Sequence, residues 1–323
     1  MPGRGAEAPE LSVVIPTRDT LELTLRCLGS LGPIARADGV EVLVVDDGSR
    51  DGTAREVRER FPGVEVLRSA EPLGFTAAVN LGLARAGGRI VLLLNSDTEV
   101  QPGWDAALRR AFARDPELGI AGAQLFYPDG RPQWRGGRAP TLPWLFVLAS
   151  GAARWLRLVP GYRRLRSLGG SALQQVAWVT GAALAVRREV FEAVGPLDEA
   201  FALYCQDLDF CLRAGRRGYR VGVVPEVRVI HRHGGTIARG AGAVGPQQPE
   251  LLWSDLVRWA RKHRGPDWAA RAARALRWGA RTRLAGRALL APFRPAGARE
   301  RWRRDTLAYR RALERLRGPV PGI

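Results

Sequence analysis

Oxygen-bearing side chains follow three apolar runs of this sequence, and they are of the kinds that bind phosphate groups and divalent cations. Asn95-Ser96-Asp97 follows residues 90–94, Asp46-Asp47 follows residues 40–45, and Thr17-Arg18-Asp19 follows residues 11–16. Taken alone, a carboxylate at the end of an apolar run is usually an ordinary turn residue. The functional interpretation is that Asp97 holds a metal ion together with the phosphates bound to it.

Carboxylates also cluster at the start of a predicted helix over residues 203–218. Asp207 and Asp209 stand in its first two turns and arginines in its last. By itself this distribution fits the helix dipole, which favours acids at the N-terminus and bases at the C-terminus. Residues two apart on a helix point to different faces, so we do not expect the two acids to share one role.

The elements that position these residues alternate between short apolar strands and helices of about ten residues. Strands are predicted over 11–16, 40–45, 64–69 and 89–95, and helices over 21–31, 52–61 and 75–86. This alternation predicts βαβ units and a mostly parallel sheet. Because ligands bind outside the carboxyl ends of the strands in such sheets, the three polar clusters are expected to form one site.

The pattern weakens in the later part of the chain. A helix is predicted over 104–113 and a strand over 118–127, whereas 130–175 shows little periodicity. Residues 176–195 are interpreted as a strand, a turn and a helix, and 219–225 as another strand. The length of 323 residues, 46% of them apolar, allows one large domain with additions or two smaller ones.

The net charge of +18 separates a mildly acidic core from two basic segments. Residues 130–188 hold ten Arg and no acid, and residues 251–323 hold 19 basic and five acidic residues. The remainder holds 21 basic and 27 acidic residues. Basic segments of this kind serve nucleic acid, anionic lipid or phosphorylated substrates.

Tryptophan recurs among the arginines of residues 251–323, at Trp253, Trp259, Trp268, Trp278 and Trp302. Leu289-Leu290 and Pro292-Phe293 add apolar surface. An Arg-rich helix is often only a solvated face, but a basic amphipathic segment with tryptophan is typical of one that lies on an anionic membrane. We therefore expect residues 251–323 to bind an anionic membrane surface.

The expected compartment is the cytoplasm. Three cysteines imply no disulfide framework and fit a reducing environment. The first residues, MPGRGAEAPE, contain no apolar stretch of a signal peptide. The longest apolar run, 139–153, is broken by two prolines and is too short to span a bilayer. We expect a protein that is peripheral on the inner face of the cell membrane.

Five segments occur in the order and spacing of a known family. They are VVIPTRD, VLVVDDGSRDGT, PLGFTAAVNLGLARAGGRIVLLLNSD, TGAALAVRREVFEAVGPLDEAF and LYCQDLDFCLRAGRRGY. Over residues 11–235 the chain resembles the family 2 glycosyltransferases, most of all their bacterial rhamnosyltransferase-like branch, which builds cell-surface polysaccharides. The resemblance implies an α/β GT-A fold, with a mostly parallel nucleotide-binding sheet flanked by helices. The implied divisions are a flexible N-terminus (1–10), a nucleotide-sugar-binding half (11–127), an acceptor-binding half (128–240) and a basic amphipathic helical extension (241–323).

The resemblance also implies which residues form the site. The family's nucleotide-sugar-binding segments match Pro16, Thr17, Asp19, Asp46, Asp47, Gly74, Phe75, Asn80, Asn95, Ser96 and Asp97. The family's turn near the acceptor or donor sugar matches Thr180, Gly181 and Ala182, and further candidates for contacts to these sugars are Trp178, Gln206 and Asp209. Asp47 matches the acid that usually contacts the base, Asp97 the metal-binding aspartate and Asp207 the catalytic base. His231 stands where the family often has a histidine near the diphosphate, and we expect it to bind metal or phosphate.

Some of these residues have structural alternatives. Gly74, Phe75 and Asn80 fit ordinary helix packing as well as they fit a nucleotide-sugar contact. Trp178 is explained by core packing as well as by stacking on a sugar, and Asp209 by bracing the helix end.

The implied reaction moves a sugar, with inversion, from a nucleotide-diphosphate sugar to a glycan acceptor that is lipid-linked or part of a surface polysaccharide. Rhamnose from a dTDP donor is the preferred assignment. A divalent cation, Mg²⁺ or Mn²⁺, suits one carboxylate with phosphate oxygens and water, and a carboxylate near the acceptor hydroxyl can take its proton. The chain departs from the family pattern at Gln206, where Glu is usual, at Asp19, where Asn is commoner, and at Asn95-Ser96, which replace the upstream acid of strict DXD motifs.

Other functions fit less well. A nucleotidyltransferase should carry a glycine-rich phosphate loop after the first strand, but PTRDTLEL has no glycine, and no GxGxxG indicates a dinucleotide-binding enzyme. The charge suits a nucleic-acid-binding protein, but the acidic core and the absence of a binding motif argue against a nucleic-acid partner. A non-catalytic nucleotide- or glycan-binding homologue stays open because of Gln206.

Overall fold

The structure is a computed structural model that describes residues 8–153, 173–201, 203–232, 248–293 and 295–316. Most of the predicted N-terminal segment 1–10 lies outside these residues. The chain forms two compact units. The first comprises the described parts of residues 1–138, 170–199 and 206–245, and the second those of residues 139–169, 200–205 and 246–323.

The first unit begins with four parallel strands in the order β3-β2-β1-β4. Their bounds are β1 Leu11–Thr17, β2 Val40–Asp46, β3 Glu65–Arg68 and β4 Ile90–Leu94. The helices between them are α1 Leu21–Leu31, α2 Thr53–Arg60 and α3 Phe75–Arg85, and a 3₁₀ turn covers Gly32–Arg36. The predicted strands and helices are confirmed here, and the pairing brings the carboxyl ends of β1, β2 and β4 to one edge.

Strands β1 and β4 are buried along their whole length, so they form the centre of the core. Helix α3 packs closely on this layer because Gly82 has no side chain. A β-carbon at Gly82 would lie 2.4 Å from Val14 Cγ1 and 2.9 Å from Val45 Cγ2.

The second part of the sheet mixes parallel and antiparallel pairs. Its strands are β5 Thr98–Val100, β6 Leu118–Phe126, β8 Gln174–Gln175, β10 Ala183–Arg187 and β11 Arg220–His231. Strand β10 pairs antiparallel with β4 and β6, β11 pairs parallel with β6, and β5 pairs antiparallel with β11. A separate ribbon joins β7 Gly136–Gly137 to β9 Trp178–Val179, and the helices are α4 Trp104–Arg114, α6 Arg188–Val194 and α7 Gln206–Arg216.

Two predicted elements of this part were wrong in detail. Residues 183–187 were expected at the start of a helix but form β10, because this run is buried between β4 and β6 and a short buried run has no diagnostic periodicity. The strand predicted over 219–225 continues to His231. Its pairing with β6 shifts register between Val224 and Arg228, and this irregularity accommodates Pro225 inside the strand.

The second unit is helical. Its helices are α5 Leu142–Ser150, α8 Pro249–Arg264, α9 Pro266–Leu290 and α10 Ala296–Arg315, with a 3₁₀ turn over Ala291–Phe293. Trp253 and Trp259 are buried at 2% and 0% exposure. Helices α5 and α9 approach so closely that a β-carbon at Gly279 would lie 2.5 Å from the carbonyl oxygen of Phe146. None of the described helices combines the length and apolar character needed to cross a membrane.

Candidate active site

The loops after β1 and β2 are tied together by backbone hydrogen bonds. The Asp47 N–H donates to the Thr17 carbonyl (2.9 Å), and the Asp19 N–H donates to Ser49 Oγ (3.0 Å). Asp19 Oδ1 accepts from the Arg50 N–H at 2.7 Å. Asp19 has a φ of 49°, in the left-handed region that Asp and Asn tolerate better than most residues. Asp19 therefore helps to fix the conformation of the loop after β1.

Buried hydroxyl groups connect the end of β1 to the loop after β4. Thr17 Oγ1 lies 2.8 Å from Thr20 Oγ1 and 2.6 Å from Thr24 Oγ1, and Thr20 Oγ1 lies 3.1 Å from Ser96 Oγ. All four side chains are at most 3% exposed. Thr17 and Ser96 are both predicted to bind the nucleotide sugar. The hydroxyl of Thr20 connects them, because it lies within hydrogen-bond distance of both side chains.

Asp46 and Asp47 are both buried, and their carboxylates accept backbone hydrogen bonds. Asp46 Oδ1 accepts from the Ser49 N–H at 2.8 Å, and Asp47 accepts from the N–H groups of Leu73 (2.6 Å) and Gly74 (3.1 Å). These bonds fix the loop that leads into α3. The contact of Asp47 with a nucleotide base stays a prediction, and it would have to use the remaining lone pairs of a carboxylate that already holds this loop.

Asp97 and His231 are brought together by strand pairing. Strand β5 pairs with β11 so that Thr98 stands opposite His231. Asp97 Oδ1 lies 3.4 Å from His231 Nε2, and the two side chains are 3% and 9% exposed. The Asp97 carbonyl accepts from the Arg232 N–H at 2.9 Å, which holds the two segments in this position.

Gln133 determines which nitrogen of His231 carries the hydrogen. Its amide Nε2 donates to the carbonyls of His231 (2.5 Å) and Phe126 (3.2 Å), so its Oε1 is the atom that faces His231 Nδ1, at 3.0 Å. Oε1 can only accept, and Nδ1 must therefore donate. In the neutral imidazole the lone pair is then on Nε2, directed at the Asp97 carboxylate.

An oxygen and a nitrogen that carry lone pairs 3.4 Å apart are suitable ligand atoms for a cation. Carboxylate oxygen and imidazole nitrogen both bind Mn²⁺, and a histidine whose other nitrogen is fixed by a hydrogen bond is the usual arrangement of a metal ligand. Among the described residues no group of three or more His, Cys, Asp and Glu side chains could hold a metal ion. Asp97 and His231 therefore fit a cation whose other ligands are phosphate oxygens and water.

Asp207 is held at the start of α7 by two backbone N–H groups. Gly181 donates to Oδ2 at 2.9 Å and Leu208 donates to Oδ1 at 2.7 Å. Burial raises the pKa of Asp207 above its ordinary value of 3.8, and these two hydrogen bonds offset part of the rise because they favour the ionised form. The result is a fixed carboxylate that is more basic than one in water.

Asp207 lines a narrow cleft. Predicted site residues that line it too are Pro16, Phe75, Asn95, Gly181 and Gln206, and the rest of the lining is aliphatic. The Asn95 N–H donates to the Ala182 carbonyl at 3.0 Å. The loop that contains Asp97 is therefore joined directly to the turn that holds Asp207.

Gln206 lines the same cleft and is 7% exposed. Its Oε1 is buried and accepts no hydrogen bond from the described part of the chain. A buried amide oxygen without a donor is costly, so this atom is an acceptor that a ligand hydroxyl could satisfy.

Other predicted residues make structural contacts. Asn80 exchanges hydrogen bonds with the backbone of Leu197 (2.9 and 3.0 Å), which favours its packing role. Asp209 is fully buried and binds Arg213 Nε at 2.8 Å, and Arg213 donates to the Pro196 carbonyl, so its contacts favour bracing of the helix. Trp178 is 8% exposed and donates to the Arg138 carbonyl at 3.2 Å. None of these three is among the residues that line the cleft.

Sequence reasoning did not identify Gln133 or Thr20. Gln133 is 98 residues from His231, in a segment without clear periodicity, and nothing in its neighbourhood indicates this contact. Thr20 stands directly before α1, where a helix cap would be its ordinary role.

The comparison with known sequences finds one family. A model described as "Glycosyl transferase family 2" matches residues 12–195. The chain is 32% identical over 219 residues to N-acetylglucosaminyl-diphospho-decaprenol L-rhamnosyltransferase of Mycobacterium tuberculosis, covering 64% of this chain and 70% of that protein. It is 33% identical over 229 residues to the uncharacterized protein y4gI of Sinorhizobium fredii, covering 69% of this chain but 24% of that one. It is 29% identical over 268 residues to the O-antigen biosynthesis protein RfbC of Myxococcus xanthus, and there it spans 20% of the relative's length.

Solved structures share the fold. The mannosyltransferase PcManGT from Pyrobaculum calidifontis, in complex with GDP-Man and Mn²⁺, aligns with a TM-score of 0.55 at 19% identity over 96% of this chain and 87% of its own. GalNAc-T7 with UDP, GalNAc and Mn²⁺ aligns with a TM-score of 0.55 at 21% identity over 78% of this chain and 47% of its own. These alignments confirm the predicted fold class.

Proposed function

The chain belongs to glycosyltransferase family 2, and on that premise we propose that it transfers a sugar, with inversion, from a nucleotide-diphosphate donor to a glycan acceptor. One observation carries the proposal. Asp207 is bonded to Gly181, and the adjoining residue Ala182 is bonded to Asn95, two residues before Asp97. A basic carboxylate and a cation-binding pair therefore meet at one edge of the sheet, as a transfer between a hydroxyl and a diphosphate sugar requires.

Asp207 acts as the general base in this proposal. Its oxygens each keep a lone pair beyond the one that accepts a backbone N–H, so the carboxylate can take the proton of an acceptor hydroxyl as the hydroxyl attacks the sugar. Its raised pKa makes it a stronger base than a free aspartate. Attack on the face opposite the leaving nucleotide inverts the anomeric centre, and one base with no covalent intermediate suffices.

Asp97 and His231 hold the divalent cation in this proposal. When bound, such a cation supplies positive charge that stabilises the diphosphate leaving group. The protein contributes the position of the two donor atoms: Gln133 orients the imidazole, and the pairing of β5 with β11 fixes the distance to the carboxylate.

The proposed substrates follow from the relatives. The L-rhamnosyltransferase of M. tuberculosis shares 32% identity, which favours rhamnose. The dTDP donor rests on the family resemblance alone. Its acceptor, by name, is a lipid-linked sugar diphosphate, and RfbC is named for O-antigen biosynthesis, so we propose a lipid-linked or surface-polysaccharide acceptor. Such an acceptor places the enzyme on the cytoplasmic face of the cell membrane.

Calorimetric titration with UDP, dTDP and GDP, each with and without Mn²⁺, tests the donor site. We expect tight binding of one nucleotide only when Mn²⁺ is present. Asp97→Asn is the matched variant, because it retains the size of the side chain and removes the charge. Binding that is equally tight without metal, or unchanged in Asp97→Asn, would remove Asp97 as a metal ligand. Failure of all three nucleotides to bind folded protein would remove the proposed donor class.

A non-catalytic homologue is the second candidate, and Gln206 is the observation that favours it. An amide replaces the acid that the family usually has next to its base. Transfer of sugar to an acceptor distinguishes the two: a protein that binds nucleotide with Mn²⁺ but neither transfers the sugar nor hydrolyses the donor is the binding homologue.

A further inference from the structure

One face of the second unit combines arginine with exposed apolar side chains. Residues 268–299 contain eight Arg and neither Asp nor Glu. Trp278 on α9 is 61% exposed, and Leu289, at the end of the same helix, is 74% exposed. Eleven residues separate the two, about three turns, so both project from the same side of the helix. Arg271, Arg274 and Arg281 are exposed, and Arg281 lies over the Trp278 ring at 5.8 Å from its centroid.

The apolar character increases toward the end of α9. Leu290 is 40% exposed, and Phe293, in the 3₁₀ turn that follows, is 83% exposed. We call Arg271, Arg274, Trp278, Arg281, Leu289, Leu290 and Phe293 the α9 face. Three large apolar side chains exposed within five residues are unusual for a surface turn, where the cost of hydrating them is not offset by packing.

The core of the second unit is formed by residues other than those of the α9 face. The opposite side of α9 buries Ala269, Ala272, Leu276 and Ala280, and the large core side chains Trp253 and Trp259 come from α8. This result restricts the surface expected to bind a membrane to a part of residues 251–323. Two of the five tryptophans on which that expectation rested are core residues, and Trp278 is the one that is strongly exposed.

We propose that the α9 face lies on an anionic lipid bilayer, with Leu289, Leu290 and Phe293 at the boundary between headgroups and acyl chains. The arginines then contact lipid phosphates, and Trp278 sits at the interface that tryptophan prefers. The α9 face carries arginines and no acidic residue, so its positive charge is complementary to the negative charge of an anionic bilayer. Leu289, Leu290 and Phe293 distinguish the α9 face from a surface that binds nucleic acid, because these apolar side chains would stay hydrated in such a complex.

The proposal concerns the second unit alone and requires no catalytic step. Vesicle binding is measured without donor or acceptor substrate. Either proposal can therefore fail while the other stands.

Vesicle co-sedimentation of the full chain is the test. Vesicles of phosphatidylcholine alone are compared with vesicles that contain phosphatidylglycerol at three parts in ten, at low and at high salt. We expect binding to the anionic vesicles only, weakened by salt. Equal binding to both compositions, or to neither, would overturn the proposal.

Variants locate the surface. The double variant Leu289→Ser with Phe293→Ser should weaken vesicle binding at least tenfold, because both side chains leave water on docking. Leu81→Ser is the matched control, since Leu81 is 39% exposed on α3 in the first unit. Both proteins should show unchanged far-UV circular dichroism. Equal affinity of the double variant and wild type would place the contact elsewhere.

Charge variants test the arginines. Replacing Arg271, Arg274 and Arg281 by Gln should weaken binding to anionic vesicles about 100-fold, since each basic residue near such a surface contributes about fivefold. The matched control removes the same charge from exposed arginines of the first unit, by replacing Arg110, Arg114 and Arg217 with Gln. An equal loss in both triple variants would show a non-specific charge effect. A DNA mobility shift that only the α9 triple variant loses, without vesicle binding, would assign the face to nucleic acid.

Discussion

Replacement of Asp207 by Asn tests the proposed base most directly, because the substitution keeps the shape of the side chain. A general base contributes about 10²–10⁴-fold to the rate. We therefore expect kcat to fall by that factor, equivalent to about 3–5 kcal/mol of transition-state stabilisation at 1.36 kcal/mol per tenfold change. Nucleotide binding with Mn²⁺ should stay within about twofold, because the proposed ligands of the cation are Asp97 and His231.

The folded state should tolerate this substitution. Both Asp207 oxygens accept a backbone N–H, from Gly181 and Leu208, whereas Asn has one acceptor oxygen and turns an NH₂ toward the other donor. Loss of one hydrogen bond to a charged group costs about 1.5–3 kcal/mol. A neutral amide, however, escapes the desolvation that raises the pKa of Asp207, so the two effects oppose each other.

The pH dependence gives a second readout. The folded pKa of Asp207 is raised above 3.8, so its favourable contribution to stability is complete below the unfolded pKa and is lost as pH rises through the folded pKa. The free energy of unfolding of wild type should therefore decline over this window relative to that of Asp207→Asn. Activity has the opposite trend, because the base must be ionised, and kcat should rise with pH through a pKa above that of a free aspartate.

Single-turnover transfer from a radiolabelled donor measures the chemical step, and calorimetry with nucleotide and Mn²⁺ measures binding. Asp209→Asn on the same helix is the comparison. It removes the negative charge that is paired with Arg213 at 2.8 Å and should lower stability by about 3–5 kcal/mol rather than slow transfer in the folded fraction. Transfer by Asp207→Asn within tenfold of wild type, or an unchanged pH profile, would show that Asp207 is not the base.

The other predictions concern the metal, the cleft and the core. His231→Gln should abolish the Mn²⁺-dependent part of nucleotide binding in calorimetry, as should Asp97→Asn, and a variant of either that retains it would contradict the ligand pair. Gln206→Glu places a second carboxylate beside the base and should move the acidic limb of the kcat profile to higher pH; a profile that does not move would show that residue 206 is electrostatically separate from the base. Gly82→Ala should lower the free energy of unfolding by about 1–3 kcal/mol, because its β-carbon would lie 2.4 Å from a valine of β1. Thermal denaturation measures this, and Gly29→Ala on α1, with no atom within 4 Å of the added carbon, should be neutral or stabilising.

Sequence reasoning predicted the first half of the fold because each element there has a local signal. Strand β1 ends one residue after a proline, at Thr17, and α2 is followed by Pro62-Gly63, so boundaries were visible as well as periodicity. Strand β10 has no such signal. Its first four residues are small or aliphatic and buried, and only their position between β4 and β6 decides that they extend rather than coil.

The site was predictable where one segment supplies both the residue and its chemistry, and not where partners come from distant segments. The loop after β4 identifies Asp97 as a candidate ligand. Gln133, which fixes the tautomer of His231, contacts it across 98 residues of sequence. Asn80 is a polar residue like those of the site, but it contacts Leu197, 117 residues away, and this contact favours a structural role.

The polar residues at this edge of the sheet differ more in the groups that face their side-chain oxygens than in residue type. Asp47 accepts hydrogen bonds from the N–H groups of Leu73 and Gly74, so its charge is stabilised by the protein itself. Asp97 Oδ1 instead faces Nε2 of His231 at 3.4 Å, and Gln133 leaves that nitrogen as an acceptor when the imidazole is neutral. Two acceptors at this distance repel unless a positive charge lies between them. Although Asp47 and Asp97 both follow a buried strand, the second has surroundings that favour a cation, and this difference supports the proposal that the diphosphate binds at the end of β4.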